Sequence, residues 1–102
     1  MIVKSKGILL DGDKILLIRR YRYGKTYYTM PGGRQEEGES LEECLIREMK
    51  EETNYDVELG SKLYEVENKL GNSLIHIYSI SKYSGELRLG GPELKRCNQN
   101  NQ

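Results

Sequence analysis

The sequence predicts one domain in which a single helix sits between two groups of strands, a fold of the α/β or α+β class. Two observations carry this. Strand-length apolar runs stand before residue 31 and after residue 54, and between them one capped, helix-periodic segment occupies residues 41–53. The length, 102 residues, fits one core and not two, so the domain is taken as 1–102.

Each element has its own local reason. GILLDGDKILLIRR reads as a hairpin, because two apolar runs flank Asp11-Gly12-Asp13 and Asp-Gly is a strong turn signal. ILLI is apolar on both faces, which predicts a strand covered on both sides. YRYGKT is a basic, Gly-containing loop, and Tyr27 to Met30 form a short strand stopped by Pro31-Gly32-Gly33. From Gly33 to Glu39 the Gly- and Glu-rich chain is expected to be a loop. Ser40-Leu41-Glu42-Glu43 is a capping box that starts the helix. The helix is expected to end near Thr53, with Asn54 as a left-handed cap. YDVELGSKLYEVENKL predicts a short strand or two. SLIHIYSISKY predicts another, with Leu74, His76, Tyr78 and Ile80 on one face and Ile75 and Ile77 on the other. GELRL predicts a further strand, and residues 92–102, ending KRCNQNNQ, a frayed tail. There are no internal repeats.

Composition narrows the classes. Lys plus Arg and Asp plus Glu are 16 each, so the formal net charge is zero, which disfavours a general nucleic-acid or duplex binder. The aromatic residues are eight tyrosines, with no Phe and no Trp. Tyr21, Tyr23, Tyr27 and Tyr28 are able to stack on a base, but packing is the expectation for each. Cys44 and Cys97 form no CxxC pair, and two unpaired thiols fit a reducing compartment. The N-terminus has no apolar segment of signal-peptide length, and ILLI is far short of a membrane span. The expectation is a soluble cytoplasmic protein with no membrane contact. His76, the single histidine, is expected to pack or hydrogen-bond in its strand.

REMKEETNY, residues 47–55, carries the chemistry. Glutamates at 48, 51 and 52 crowd one side of a helix, where like-charge neighbours cost about a few tenths of a kcal/mol per pair. At roughly 100° per residue from Leu41, Leu45 falls near 40°, Met49 near 80°, Glu52 near 20°, Glu48 near 340° and Glu51 near 280°. Glu43, Arg47 and Lys50 fall on the opposite, solvent side. Glu52 therefore points into the apolar stripe and Glu48 lies on its edge. Carboxylates placed against a core are costly unless paired or bound to a cation. An all-oxygen donor set with no Cys or His cluster suits Mg²⁺, or Mn²⁺.

Residues 33–55, GRQEEGESLEECLIREMKEETNY, resemble the Nudix box, G-x5-E-x7-R-E-U-x-E-E-x-G-U with U bulky and apolar. Gly33, Glu39, Arg47, Glu48, Met49, Glu51, Glu52 and Tyr55 stand at the matching positions. Asn54 replaces the pattern's Gly, at a position where Asn tolerates a left-handed backbone. ILLIRR, YYTMPGG and SGELRL resemble the flanking strands. The resemblance implies an α/β/α sandwich around a mixed sheet, cut short at its C-terminus relative to the family. An open sheet edge would invite a homodimer. It implies Mg²⁺-dependent cleavage of a pyrophosphate bond in a nucleoside diphosphate linked to another group, with a (deoxy)nucleoside triphosphate first among substrates. ADP-ribose and dinucleoside polyphosphates are alternatives, as is a catalytically impaired nucleotide-binding module. By position, Glu48, Glu51 and Glu52 with the Gly32 carbonyl would hold metal. Glu48 would deprotonate water, Arg47 would orient it, and Arg20 would meet substrate. Gly33 and Glu39 would support the box, and Glu93 is a weak late acidic candidate.

Overall fold

The structure, a computed structural model, describes residues 1–88 with their side chains and the backbone of 94–98. In chain order the elements are β1 (Ile2–Ile8), β2 (Leu10–Asp11), β3 (Lys14–Arg22), β4 (Lys25–Thr29), β5 (Gly32–Arg34), α1 (Leu41–Thr53), β6 (Asp56–Asn68), β7 (Ser73–Ser84) and β8 (Leu94–Asn98). One sheet has the order β5-β1-β7-β6 and is mixed, since β1 runs parallel to β7 while β5 and β6 pair antiparallel. The other is antiparallel, β2-β3-β4, with β8 on β3. The helix lies over β1, β5 and β6.

The helix forms where both caps are built in. Ser40 Oγ accepts from the Glu43 amide at 3.0 Å and Glu43 Oε1 accepts from the Ser40 amide at 2.8 Å, satisfying donors that a helix start leaves open. Asn54 takes the left-handed conformation, φ 68° and ψ 9°, and its amide donates to the Lys50 carbonyl. Leu45 and Met49 are fully buried and join Leu9, Leu16, Tyr55, Val57 and Tyr78 in one core. Each such aliphatic side chain contributes roughly 1.5–3 kcal/mol of transfer free energy.

The expected α/β class and the hairpin hold: Asp11 pairs with Lys14 across Gly12-Asp13, with Gly12 at φ 64°. Among the described residues one helix covers one face, so a second helical layer is not among them. Several boundaries differ. YRYGKT is not a loop. β3 runs on to Arg22 and turns over Tyr23-Gly24, both at positive φ (54° and 73°), the two-residue turn that matches strand twist. Gly33 and Arg34, expected as loop, join Gly32 in a strand that pairs with Lys4, Ser5 and Lys6. The stretch after the helix is one strand of 13 residues that absorbs register shifts between Glu58 and Tyr64. Residues 85–88 are not a strand. The Arg88 amide donates to the Thr53 carbonyl at 3.0 Å, completing the helix end instead of a sheet ladder. Within the tail expected to fray, Leu94–Asn98 pairs with Lys14–Ile18, where the free edge of β3 offers unpaired backbone groups. Of the four tyrosines of the hairpin, Tyr21 and Tyr23 do not pack, being 75% and 92% exposed, while Tyr27 and Tyr28 are more than half covered. Among the described residues no helix is long and apolar enough to cross a membrane.

Candidate active site

β5 and α1 build the site together. Pairing with β1 fixes Gly32 and Gly33 in the strand, and the helix presents Glu48 and Glu52, four residues apart, to that strand. Glu52 Oε1 accepts from the Gly32 amide at 2.9 Å and Oε2 accepts from Arg20 Nη2 at 2.9 Å. Its side chain is only 11% exposed. Burial pushes this carboxyl above its usual range, against the lowering pull of the Gly32 amide and Arg20. Glu48 lies directly over Gly33: a Cβ there would stand 2.6 Å from the Glu48 carboxyl carbon. Glycine is required because the carboxylate fills the space a side chain would take.

Arg47 does not face solvent as its place on the helical wheel predicts. Its guanidinium forks onto Glu39, Nε to Oε2 at 2.9 Å and Nη2 to Oε1 at 2.8 Å, and Nη2 also donates to the Arg34 carbonyl at 3.0 Å. Nη1 donates to Glu48 Oε2 at 3.0 Å and Glu51 Oε1 at 3.2 Å. Arginine alone has five donors in a fixed plane able to serve three carboxylates at once. The Arg47 bonds hold the Glu39 carboxyl down at about 2 and raise the Arg47 pKa. Cys44, a buried thiol, donates to the Gly33 carbonyl at 3.5 Å, and burial pushes it up to about 11.

The structure thus brings together Gly32, Gly33, Glu48, Glu52 and Arg20 on one side, and Arg47, Glu39, Glu48 and Glu51 on the other. Glu51 is turned toward Arg47 and is 58% exposed. Among the described residues no group of three His, Cys, Asp or Glu is arranged to hold a metal ion; the carboxylates of Glu48, Glu51 and Glu52 bond Arg47 and Arg20 instead. The donor set itself fits a hard divalent ion: it is all oxygen, partly buried, and lies against a glycine cradle that a Cβ would fill. His76 stands apart on β7, buried, its Nδ1 3.6 Å from Glu65 Oε1. Glu93 and the Cys97 side chain lie outside the described residues.

The sequence reading named Arg20 but missed the rest of the basic side of the site. A cleft of about 380 Å³ opens beside Gly32 and Gly33 and is lined by five cations, Lys4, Lys6, Arg20, Arg22 and Arg34. Lys6 donates to Thr29 Oγ1 at 2.8 Å. Burial first, then Arg20 and Lys4, lower its pKa. The available signal was that residues 14–35 contain no Asp or Glu.

Comparison with known proteins gives the family to which this fold and this glycine turn belong. The NUDIX domain family model matches residues 3–98, so the chain belongs to the Nudix family. It is 31% identical over 86 residues to the "Putative 8-oxo-dGTP diphosphatase" of Bacillus subtilis, a match covering 84% of this chain and 56% of that protein. It is 35% identical over 93 residues to the "ADP-ribose pyrophosphatase" of Methanocaldococcus jannaschii, covering 86% of this chain and 55% of that protein. The chain therefore spans a little over half the length of these curated relatives. In fold it is similar to a MutT NUDIX hydrolase from Burkholderia pseudomallei, with TM-score 0.85 and 24% identity over 99% of this chain and 85% of that one.

Proposed function

We propose that this chain is a Mg²⁺-dependent pyrophosphohydrolase acting on a nucleoside diphosphate linked to a further group, with a (deoxy)nucleoside triphosphate as the first candidate. The single observation that carries the reading is the buried Glu52 carboxylate, held at the glycine turn between the Gly32 amide and Arg20, at the border of a cationic cleft. An anionic diphosphate and a carboxylate cluster repel each other unless a dication joins them.

Glu48, Glu51, Glu52 and the Gly32 carbonyl oxygen are the groups that would hold the ion. Bound there, it neutralises phosphate oxygens and lowers the pKa of water. Glu48 receives the proton of the attacking water, and Arg47, 3.0 Å from its Oε2, fixes which carboxylate oxygen remains free to do so. Arg20 exchanges its Glu52 contact for a substrate phosphate, and Lys6 adds a second positive charge behind it. Glu39 anchors Arg47 from the loop side and touches no substrate. The names of the relatives favour 8-oxo-dGTP on one side and ADP-ribose on the other, and the box serves the diphosphate common to both.

The test is a screen of nucleoside triphosphates, ADP-ribose and dinucleoside polyphosphates with Mg²⁺, repeated with Glu48→Gln and Glu52→Gln. Turnover that survives both substitutions removes the mechanism. A second reading, a nucleotide-binding module without turnover, draws on the fact that Arg47 and Arg20 occupy the carboxylates. It requires no hydrolysis of any of these compounds. Mg²⁺ still discriminates, since an ion that binds only the folded chain raises its melting temperature.

A further inference from the structure

Five cations line the cleft, and four of them are ordered in pairs. Lys4 and Lys6 lie on β1, and Arg20 and Arg22 on β3, each pair two residues apart along a strand. Side chains at that spacing share a face and repeat about every 6–7 Å. Lys6 and Arg20 form the inner pair: Arg20 is bonded to Glu52, and Lys6 feels Glu52 and Glu48 among its neighbouring charges. Lys4 and Arg22 form the outer pair, one step further from the carboxylates along both strands, and line the same cleft. Among the described residues neither has a carboxylate within ion-pair distance, although the chain as a whole carries as many acids as bases. Tyr27 stands directly across from Arg20 on β4 and also lines the cleft, with 41% of its surface open to solvent.

Arg22 lies over the Tyr23 ring at 5.8 Å, but like charges around one cleft still repel, and a polyanion that spans them relieves the repulsion. The inner pair, beside the carboxylates, is taken by the pyrophosphate. We infer that Lys4 and Arg22 form a second phosphate subsite, one that receives a 3′-phosphate ester on the nucleoside whose 5′-pyrophosphate lies at the inner pair, with the Tyr27 ring as a face for the base. This rests on the pyrophosphohydrolase reading for the placing of the 5′ end. The same ester chemistry occurs in a 3′-phosphorylated mononucleotide and as the next backbone phosphate of a single strand. Tyrosine faces suit unpaired bases and not a duplex.

Binding can be measured without turnover. Titration calorimetry would compare adenosine 5′-monophosphate, adenosine 3′,5′-bisphosphate and the 5′-phosphorylated dinucleotide pApA on the wild-type chain and on Lys4→Gln/Arg22→Gln. Both positions are at least partly exposed, so the variant is expected to fold. The bisphosphate is expected to bind about tenfold more tightly than the monophosphate, the lower end for charge-assisted contacts. The double substitution is expected to abolish that difference, so that the variant binds the bisphosphate no more tightly than it binds the monophosphate. A dinucleotide that matches the bisphosphate identifies a strand as the source of the ester, and one that does not identifies a mononucleotide. Equal wild-type affinity for the mono- and bisphosphate overturns the inference, as does a preference that survives the double substitution. If the preference holds while no pyrophosphate compound is hydrolysed, the subsite stands and the hydrolase reading falls.

Discussion

Arg47 is the residue on which the most contacts depend. Its guanidinium reaches Glu39, Glu48, Glu51 and the Arg34 carbonyl, so four groups relax when it changes. Lysine keeps the charge but is a point donor and cannot fork onto Glu39 while serving the helix glutamates. Arg47→Lys is expected to lower stability by about 2 kcal/mol, the scale of a lost charge-assisted hydrogen bond, read from urea unfolding at neutral pH. The two glycines beside it separate packing from chemistry. At Gly32 a Cβ would stand 2.1 Å from the Ser5 carbonyl oxygen, and φ is 138°. Backbone cannot yield there, so Gly32→Ala is expected to cost several kcal/mol (about 3–5). At Gly33 the obstruction is the flexible Glu48 carboxylate, 2.6–2.8 Å away. Gly33→Ala is expected to fold with a melting temperature near that of the wild type and, if Glu48 takes the proton as proposed, to lose turnover by about 100-fold, because displacing a catalytic group by about 1 Å has that effect. Equal loss of stability in the two variants would mean that Glu48 is as immobile as backbone.

At the scale of elements, the loop before the helix is tied to the helix by charge, and that tie has a pH signature. Arg47 holds the Glu39 carboxyl at about 2, from an ordinary 4.5. A depressed acid stabilises the folded state when ionised, so the contribution is complete above about pH 4.5 and is lost as pH falls toward 2. Thermal melts of wild type and Glu39→Gln are expected to differ at neutral pH and to converge as pH falls from about 4.5 toward 2; a constant gap would show that Glu39 acts through packing alone. The helix itself was readable in advance because its signals are local. The capping box, the 3.6-residue period and Asn54 all lie within one segment, and Asn54 adds what the family's glycine lacks, a side-chain bond from Nδ2 to the Glu86 carbonyl at 3.0 Å. Asn54→Gly is therefore expected to be close to neutral, relief of the left-handed backbone offsetting loss of that bond. SLIHIYSISKY formed the strand expected of it, but the length of β6 and the fate of GELRL were misjudged because partner choice, not local pattern, set their ends. Glu86 and Arg88 bond to the helix terminus, and a strand reading of GELRL had no way to include that competitor.

For the whole molecule, the net charge of zero hides a division. Residues 14–35 hold six cations and no acid, while residues 36–67 hold twelve acids and three cations. The acidic half was legible because the glutamates repeat along one helix. The basic cleft was not, because Lys4 and Lys6 come from β1 and reach Arg20 and Arg22 only through the folding of two sheets against each other. A neutral chain with evenly mixed charge would capture an anionic substrate at a rate indifferent to salt. This one presents a cationic cleft at close range, so field lines there survive until the screening length shortens to the width of the cleft. Raising ionic strength from about 0.01 to 0.1 M shortens that length from about 30 to 10 Å. Over that range kcat/KM for a nucleoside triphosphate is expected to fall several-fold while kcat stays level, since screening slows encounter and leaves the dry contacts of the bound complex intact. A flat kcat/KM would show that the acidic helix face cancels the cleft's field before the substrate arrives. A parallel fall in kcat would instead place the salt-sensitive contacts in the reacting complex, among Glu48, Arg47 and Arg20.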